Sequence, residues 1–262
     1  MDARGLLIDL DGVLYVEDEA VPGAAEAVAT LRDRGLPLRF VTNTTSRSKR
    51  QTLERLERLG FRVPAEELVT PAALARERCL ERGHERVALV MNEDVKEDFE
   101  GLTEADSEVD AVIMGDLGEA FGFEILNHAF RQVMEGAELI ALQKNRFWMT
   151  PDGLSLDAGP FVAAIEYATG RDALVVGKPS NAFFELVLGD MGVGASDAAM
   201  VGDDVETDVG GALGAGLAGI LVRTGKYREE FVARSGVEPT ATVDSIADVP
   251  VLLDDDARWL GR

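Results

Sequence analysis

Short apolar runs recur along this chain, and most are followed by a stretch whose apolar residues keep helical spacing. That alternation is the pattern of an α/β protein, because a parallel strand is reached only through a long crossover that a helix usually supplies. Leu6 to Leu10 predicts a buried first strand, ended by acids and Gly12. A helix is expected from Pro22 to Arg34, with Ala24, Ala27, Val28 and Leu31 on its apolar face and Gly35 as its stop. Leu38 to Val41 predicts a second strand, running into a polar turn from Thr42 to Ser46. A helix bearing Leu53, Leu56 and Leu59 follows, then a short strand at Val69 and Thr70.

A second strand-and-helix set begins near Arg86. Its expected strands are Val87 to Met91, Ala111 to Met114 and Leu139 to Leu142. Phe123, Leu126, Ala129, Phe130 and Val133 mark one helix, and Phe161, Ala164, Ile165 and Ala168 another. Beyond them come a strand at Val175-Val176, a helix from Phe183 to Leu188, and strands at Met200-Val201 and Ile220 to Val222. Asp254, Asp255 and Asp256 read as a solvated helix end. Gly214 to Gly219 matches G-x-G-x-x-G, but it lies after a helix and before a strand. A dinucleotide turn needs the reverse order, so none is expected.

Four segments close predicted strands: Asp9-Leu10-Asp11, Val41-Thr42-Asn43, Gly177-Lys178-Pro179, and Gly202-Asp203-Asp204 with Asp208 beyond. In an open parallel sheet the carboxyl ends of the strands share one edge, and ligands bind there. Asp9 and Asp11 are two apart, so an extended chain turns both carboxylates to one side. Two anions that close repel unless a cation lies between them. A hard ion such as Mg²⁺ suits one or two carboxylates plus a substrate phosphate. Thr42 has a plain alternative as a helix cap. Lys178 is one of only five lysines and follows the apolar run Leu174-Val175-Val176. A point cation there complements phosphate oxygens and the acids.

The formal charge of −22 argues against nucleic acid or an anionic membrane as partner, since both need a basic footprint. No run approaches the roughly 20 apolar residues that span a bilayer, and the opening MDARGLLIDLDG is neither a signal nor a transit peptide. Cys79 is the sole cysteine, which excludes an internal disulfide or a thiolate zinc site and suits a reducing cytoplasm. Only two histidines, His84 and His128, are present, too few for a histidine-rich metal site. An acidic, lysine-poor composition also suits high salt, with an ordinary acidic protein as the alternative.

In this order and at these separations, the four segments resemble the motifs of the haloacid dehalogenase superfamily of phosphohydrolases. The blocks RFVTNTTSRSK, DGLSLDAGPFVAAIEYATG, VVGKPS and MVGDDVETDVGGALGAGLAGILVRTGKY narrow the resemblance to a branch with a large α/β cap. It implies a Rossmann-like parallel-sheet core, residues 1–76 and 177–262, interrupted by an α/β cap at 77–176. It implies Asp9 as nucleophile, Asp11 as general acid and base, and Lys178 as a third catalytic residue. Thr42, Asn43 and Lys178 would hold the phosphate. Mg²⁺ would be held by the Asp9 carboxylate, the Asp11 backbone carbonyl and Asp203, with Asp208 reaching it through water. Asp204 has no role in that pattern. The implied activity is Mg²⁺-dependent hydrolysis of a small phosphorylated metabolite through a phosphoaspartate on Asp9. A phosphotransferase using the same intermediate and a non-catalytic phosphate-binding switch are the alternatives, and a homodimer through the cap is left open.

Overall fold

Every residue of the strand Gly5–Asp9 is buried, so this strand needs cover on both faces of its sheet. In the computed structural model, which describes residues 4–150 and 153–254, it lies near the centre of a six-stranded sheet. The strand order is Ala241–Val243, Ala218–Val222, Ala198–Gly202, Gly5–Asp9, Leu38–Val41, Leu68–Val69, with every pairing parallel. On one face Leu6, Ile8, Phe40, Val201 and Ile220 pack with Ala24, Ala27, Val28 and Leu31 of the helix Ala24–Asp33. On the other, Leu221 packs with Val205 and Val209 of a wide helical turn, Val205–Gly210.

The chain divides into two compact units. The first comprises Met1–Thr42, Leu53–Val69 and Lys178–Arg262, and contains the six-stranded sheet. The second comprises Asn43–Thr52 and Thr70–Gly177. Its five-stranded parallel sheet runs in the order Leu174–Val175, Glu138–Ala141, Ala111–Met114, Arg86–Val90, Thr103–Glu104. The helices Phe123–Glu135 and Ala158–Thr169 set Ala129, Val133, Val162 and Ile165 against Ala88, Val112, Met114 and Leu139 of that sheet.

An expected cut at residue 77 falls inside a helix, Pro71–Arg82. Its start is encoded locally. The Thr70 side chain accepts a hydrogen bond from the Ala73 N–H, and Pro71 occupies the first turn where its missing N–H costs nothing. Gly83, in the left-handed region, ends it. Cys79 is buried on this helix. Gly214 closes the helix Gly211–Gly214 and the strand Ala218–Val222 follows, the order that excludes a dinucleotide turn. Asp254 ends the helix Val249–Asp254, while Asp255 and Asp256 lie outside the described residues. Among the described residues, no helix is long and apolar enough to cross a membrane.

Candidate active site

Numbered along the chain, the strands of the six-stranded sheet lie in the order 3-2-1-4-5-6. The sheet reverses direction of growth between the first strand, Gly5–Asp9, and the fourth, Ala198–Gly202. In doubly wound sheets the crevice at the carboxyl ends of such a pair takes the ligand. Ile8 pairs with Val201 in register, so Asp9 and Gly202 end side by side. Asp9 also pairs with Val41, which sets buried Thr42 at the same edge.

Three carboxylates meet there. One oxygen from each of Asp9, Asp203 and Asp208 lies within 4.8 Å of the others, and all three residues are buried. Asp208 is brought in by the wide turn that follows Asp204. The Asp204 carboxylate caps that turn, accepting from the N–H groups of Glu206 (3.1 Å) and Thr207 (3.0 Å). The Asp204 N–H donates to Asp208 Oδ2 at 3.2 Å. A Cβ on Gly202 would fall inside the Asp208 side chain, so glycine is required at that strand end. Asp204, which had no part in the expected pattern, therefore shapes the turn that delivers Asp208.

Lys178 is buried among these acids. Its Nζ lies 2.7 Å from Asp9 Oδ1 and 2.7 Å from Asp208 Oδ1. Burial opposes its charge, but Asp208 and Asp9 outweigh burial and raise its pKa. One lysine leaves the cluster short of positive charge. Burial, then the charges of Asp9 and Asp208, push the Asp203 carboxyl up to about 8. Burial and Asp9 push Asp208 up to about 6. Burial also raises Asp9, outweighing Lys178.

Asp203 Oδ1 is buried without a hydrogen-bond partner. A buried carboxylate oxygen with no donor is costly, and a bound cation relieves that cost. Hard oxygen donors, excess negative charge and this orphaned atom together fit Mg²⁺.

The extended run stops at Asp9, so the two-residue alternation does not carry on to Asp11. The carboxylate of Asp11 is outside the cluster of three. Its Oδ2 accepts from the Tyr15 hydroxyl at 3.2 Å, and Arg55 stacks 4.9 Å above the Tyr15 ring. Tyr15 belongs to a small hairpin, Tyr15–Val16 with Glu19–Ala20, that the sequence pattern did not announce. Asn43 falls in the second unit, where its Oδ1 leaves no room for a Cβ on Gly177.

Thr224, Gly225 and Lys226 lie outside the four motif segments and within the longer block ending ILVRTGKY, where the sequence assigned them no role. The Lys226 N–H donates to Asp203 Oδ2 at 2.6 Å, and the Thr224 hydroxyl donates to the Gly12 carbonyl. These residues sit after an apolar strand, as the four chosen segments do.

The fold is a doubly wound α/β sheet with an acidic crevice at the carboxyl edge of its strands. Family models agree. A haloacid dehalogenase-like hydrolase model matches residues 6–103, and a related HAD-hydrolase-like model matches residues 175–249. The human haloacid dehalogenase-like hydrolase domain-containing protein 2 is 45% identical over 242 residues, covering 92% of each chain. Human phospholysine phosphohistidine inorganic pyrophosphate phosphatase is 39% identical over 256 residues, covering 95% of this chain and 94% of that one. Among solved structures, a p-nitrophenyl phosphatase from Archaeoglobus fulgidus superposes with a TM-score of 0.89 at 29% identity, covering 96% of this chain and 100% of that one. A glycerol phosphate phosphatase from Mycobacterium tuberculosis, solved in complex with magnesium, gives 0.81 at 30% identity, covering 96% and 78%. The chain belongs to the haloacid dehalogenase-like hydrolase family, and it is a phosphatase of that family.

Proposed function

We propose that the protein is a Mg²⁺-dependent phosphatase that hydrolyses a small phosphorylated metabolite through a phosphoaspartate on Asp9. The observation that carries this reading is the buried cluster of Asp9, Asp203 and Asp208 with one lysine among them and an orphaned Asp203 oxygen. Asp9, Asp203 and the Asp11 backbone carbonyl would hold Mg²⁺, with Asp208 acting through water. When bound, the ion neutralises charge on both the nucleophile and the phosphate. The names of the solved relatives, which include p-nitrophenyl and glycerol phosphate phosphatases, support small phosphomonoesters as the substrate class.

In this reading, Lys178, the Thr42 hydroxyl and the Asn43 side chain hold the phosphate oxygens. Lys178 already fixes the Asp9 carboxylate. That carboxylate attacks phosphorus while the bond to the leaving oxygen breaks, and Asp11 gives the leaving oxygen its proton. Water then attacks the phosphoaspartate, Asp11 takes a proton from it, and inorganic phosphate leaves. Splitting hydrolysis this way replaces one hard step by two easier ones, and acid-base help of this kind is worth about 10²–10⁴-fold. The second unit takes the role of the cap, with its first helix beginning at Pro71.

The test is hydrolysis of p-nitrophenyl phosphate with Mg²⁺, after EDTA, and by Asp9→Asn. Turnover should require Mg²⁺ and vanish in the variant. Full activity in metal-free buffer, or in Asp9→Asn, would sink the assignment.

A further inference from the structure

We infer that the loop Thr224-Gly225-Lys226 is a positioning element for the cation: it fixes the Asp203 carboxylate and the turn at Asp11-Gly12 so that Asp203 Oδ1 stays available. The inference rests on the Mg²⁺ reading above and concerns residues that none of the four motif segments contains.

Two contacts of the loop reach one proposed ligand, Asp203, and the residue beside another, Asp11. The backbone N–H of Lys226 donates to Asp203 Oδ2 at 2.6 Å. The other oxygen of the same carboxylate, Oδ1, is buried and has no hydrogen-bond partner. One oxygen is therefore held and the other is left for a ligand. An N–H bonded to an ionised oxygen is among the stronger hydrogen bonds, and it sets the rotation of the carboxylate. Two residues earlier, the Thr224 hydroxyl donates to the carbonyl of Gly12. Gly12 adjoins Asp11, whose carbonyl is the second proposed ligand, and the Gly12 N–H donates to the Tyr15 carbonyl at 2.7 Å.

Gly225 makes the approach possible. Its φ is +62°, and the place of a Cβ is already filled by the Asp203 carboxylate and the Gly12 Cα. The loop leaves the strand Ala218–Val222, which pairs in register with Ala198–Gly202, the strand that carries Asp203 at its end. Loop and ligand thus hang from two adjacent strands of one sheet, a stiff support for a preformed site.

The side chain of Lys226 acts on Asp203 through its charge, while the hydrogen bond to Asp203 comes from the backbone. Its Nζ lies 3.6 Å from Asp204 Oδ2, and the side chain is 66% exposed. The backbone N–H performs the positioning, and this separates two substitutions at one residue.

The experiment is calorimetric titration of Mg²⁺ into the metal-stripped full chain without substrate, with melting in EDTA as a check on folding. Partners that orient metal ligands are typically worth about 10–100-fold in affinity. Lys226→Ala keeps the N–H and removes only a nearby positive charge, so its affinity should not fall below that of the unaltered chain. Lys226→Pro removes the N–H and should weaken Mg²⁺ by about 10–100-fold. Thr224→Val should weaken it in the same direction, with Thr224→Ser restoring it. Should Lys226→Pro fail to melt cooperatively, the Thr224 pair decides. Folded Lys226→Pro or Thr224→Val chains that bind as tightly as the unaltered chain would overturn the inference, as would Lys226→Ala weakening to the level of Lys226→Pro. An unaltered chain that binds no Mg²⁺ would overturn the metal reading itself, a separate and recognisable result.

Discussion

The Nζ of Lys178 lies 2.7 Å from Oδ1 of Asp9, although 169 positions separate the two residues in the chain. The pair is buried, and the same Nζ reaches Asp208. Removing one partner of a buried ion pair leaves an uncompensated charge, which typically costs about 3–5 kcal/mol. Lys178→Met is therefore expected to lose about that much stability in EDTA, measured by urea denaturation, and to lose turnover as well. Saturating Mg²⁺ should restore part of the stability. A variant as stable as the unaltered chain in EDTA would show that the carboxylates do not rely on this lysine.

The raised carboxyls dictate a pH dependence for the metal-free protein. Asp203 is held up to about 8 and Asp208 up to about 6, against an ordinary 3.8. Between those values the folded chain keeps protons that the unfolded chain releases, so stability falls as pH rises. Melting temperature in EDTA should decline from about pH 5 to about pH 8, and Asp203→Asn should flatten the upper part of that slope. Mg²⁺ needs the ionised ligands, so it should stabilise more at the alkaline end. A metal-free melting temperature that climbs across this window contradicts the assignment.

Asp11→Asn separates proton transfer from nucleophilic attack. The variant keeps Asp9 and its own backbone carbonyl. A good leaving group such as p-nitrophenolate departs without a proton, so Asp9 should still be phosphorylated, while hydrolysis of the phosphoenzyme slows. Rapid-quench mixing is expected to show a burst of p-nitrophenol, and intact mass should rise by one phosphoryl group. A burst from Asp9→Asn and none from Asp11→Asn would reverse the two roles.

Gly12 and Gly35 both have positive φ, at +84° and +72°. They differ in surroundings. Around Gly35 nothing lies within 4 Å of a Cβ, whereas at Gly12 a Cβ would fall inside the Asp203 carboxylate. Gly35→Ala should cost only the backbone strain, about 1–2 kcal/mol, and retain Mg²⁺ binding by calorimetry. Gly12→Ala should lose both Mg²⁺ binding and turnover. Equal behaviour of the two variants would mean that the contact with Asp203 is unimportant.

The charge of −22 makes a further prediction. Salt screens self-repulsion, so a chain adapted to high salt should melt markedly higher in molar KCl than in dilute buffer. A flat response fits an ordinary acidic protein.

Much of this architecture is legible in the sequence because the buried strands are nearly all apolar. Gly5–Asp9 and Ala111–Met114 are buried throughout, and their runs stand out against polar neighbours. Asp9 and Asp203 were legible for the same reason, since each lies at the end of such a run. Short edge elements were not. Ala241–Val243 has only three residues and is incompletely buried, so it carries no apolar signature. The helix Pro71–Arg82 was not read, although Thr70-Pro71 and Gly83 bracket it, because arginines and glutamates break up its apolar spacing. The loop at Thr224 was illegible in another sense. Its partner Gly12 lies 212 positions away, and no local pattern encodes a contact of that separation.

The adjacency of Gly5–Asp9 and Ala198–Gly202 also governs when the site can exist during synthesis. A ribosome adding about 5–20 residues per second needs about 10–40 s to pass from the first strand to the fourth. For that interval one edge of this buried strand lacks its parallel neighbour, the kind of exposed edge that chaperones shield. Asp203 and Asp208 emerge later still, and Lys226 after them. The acidic crevice therefore cannot assemble until the chain has been made through Lys226, and a truncated translation product that retains only Asp9 and Asp11 of these residues is expected to lack hydrolytic activity.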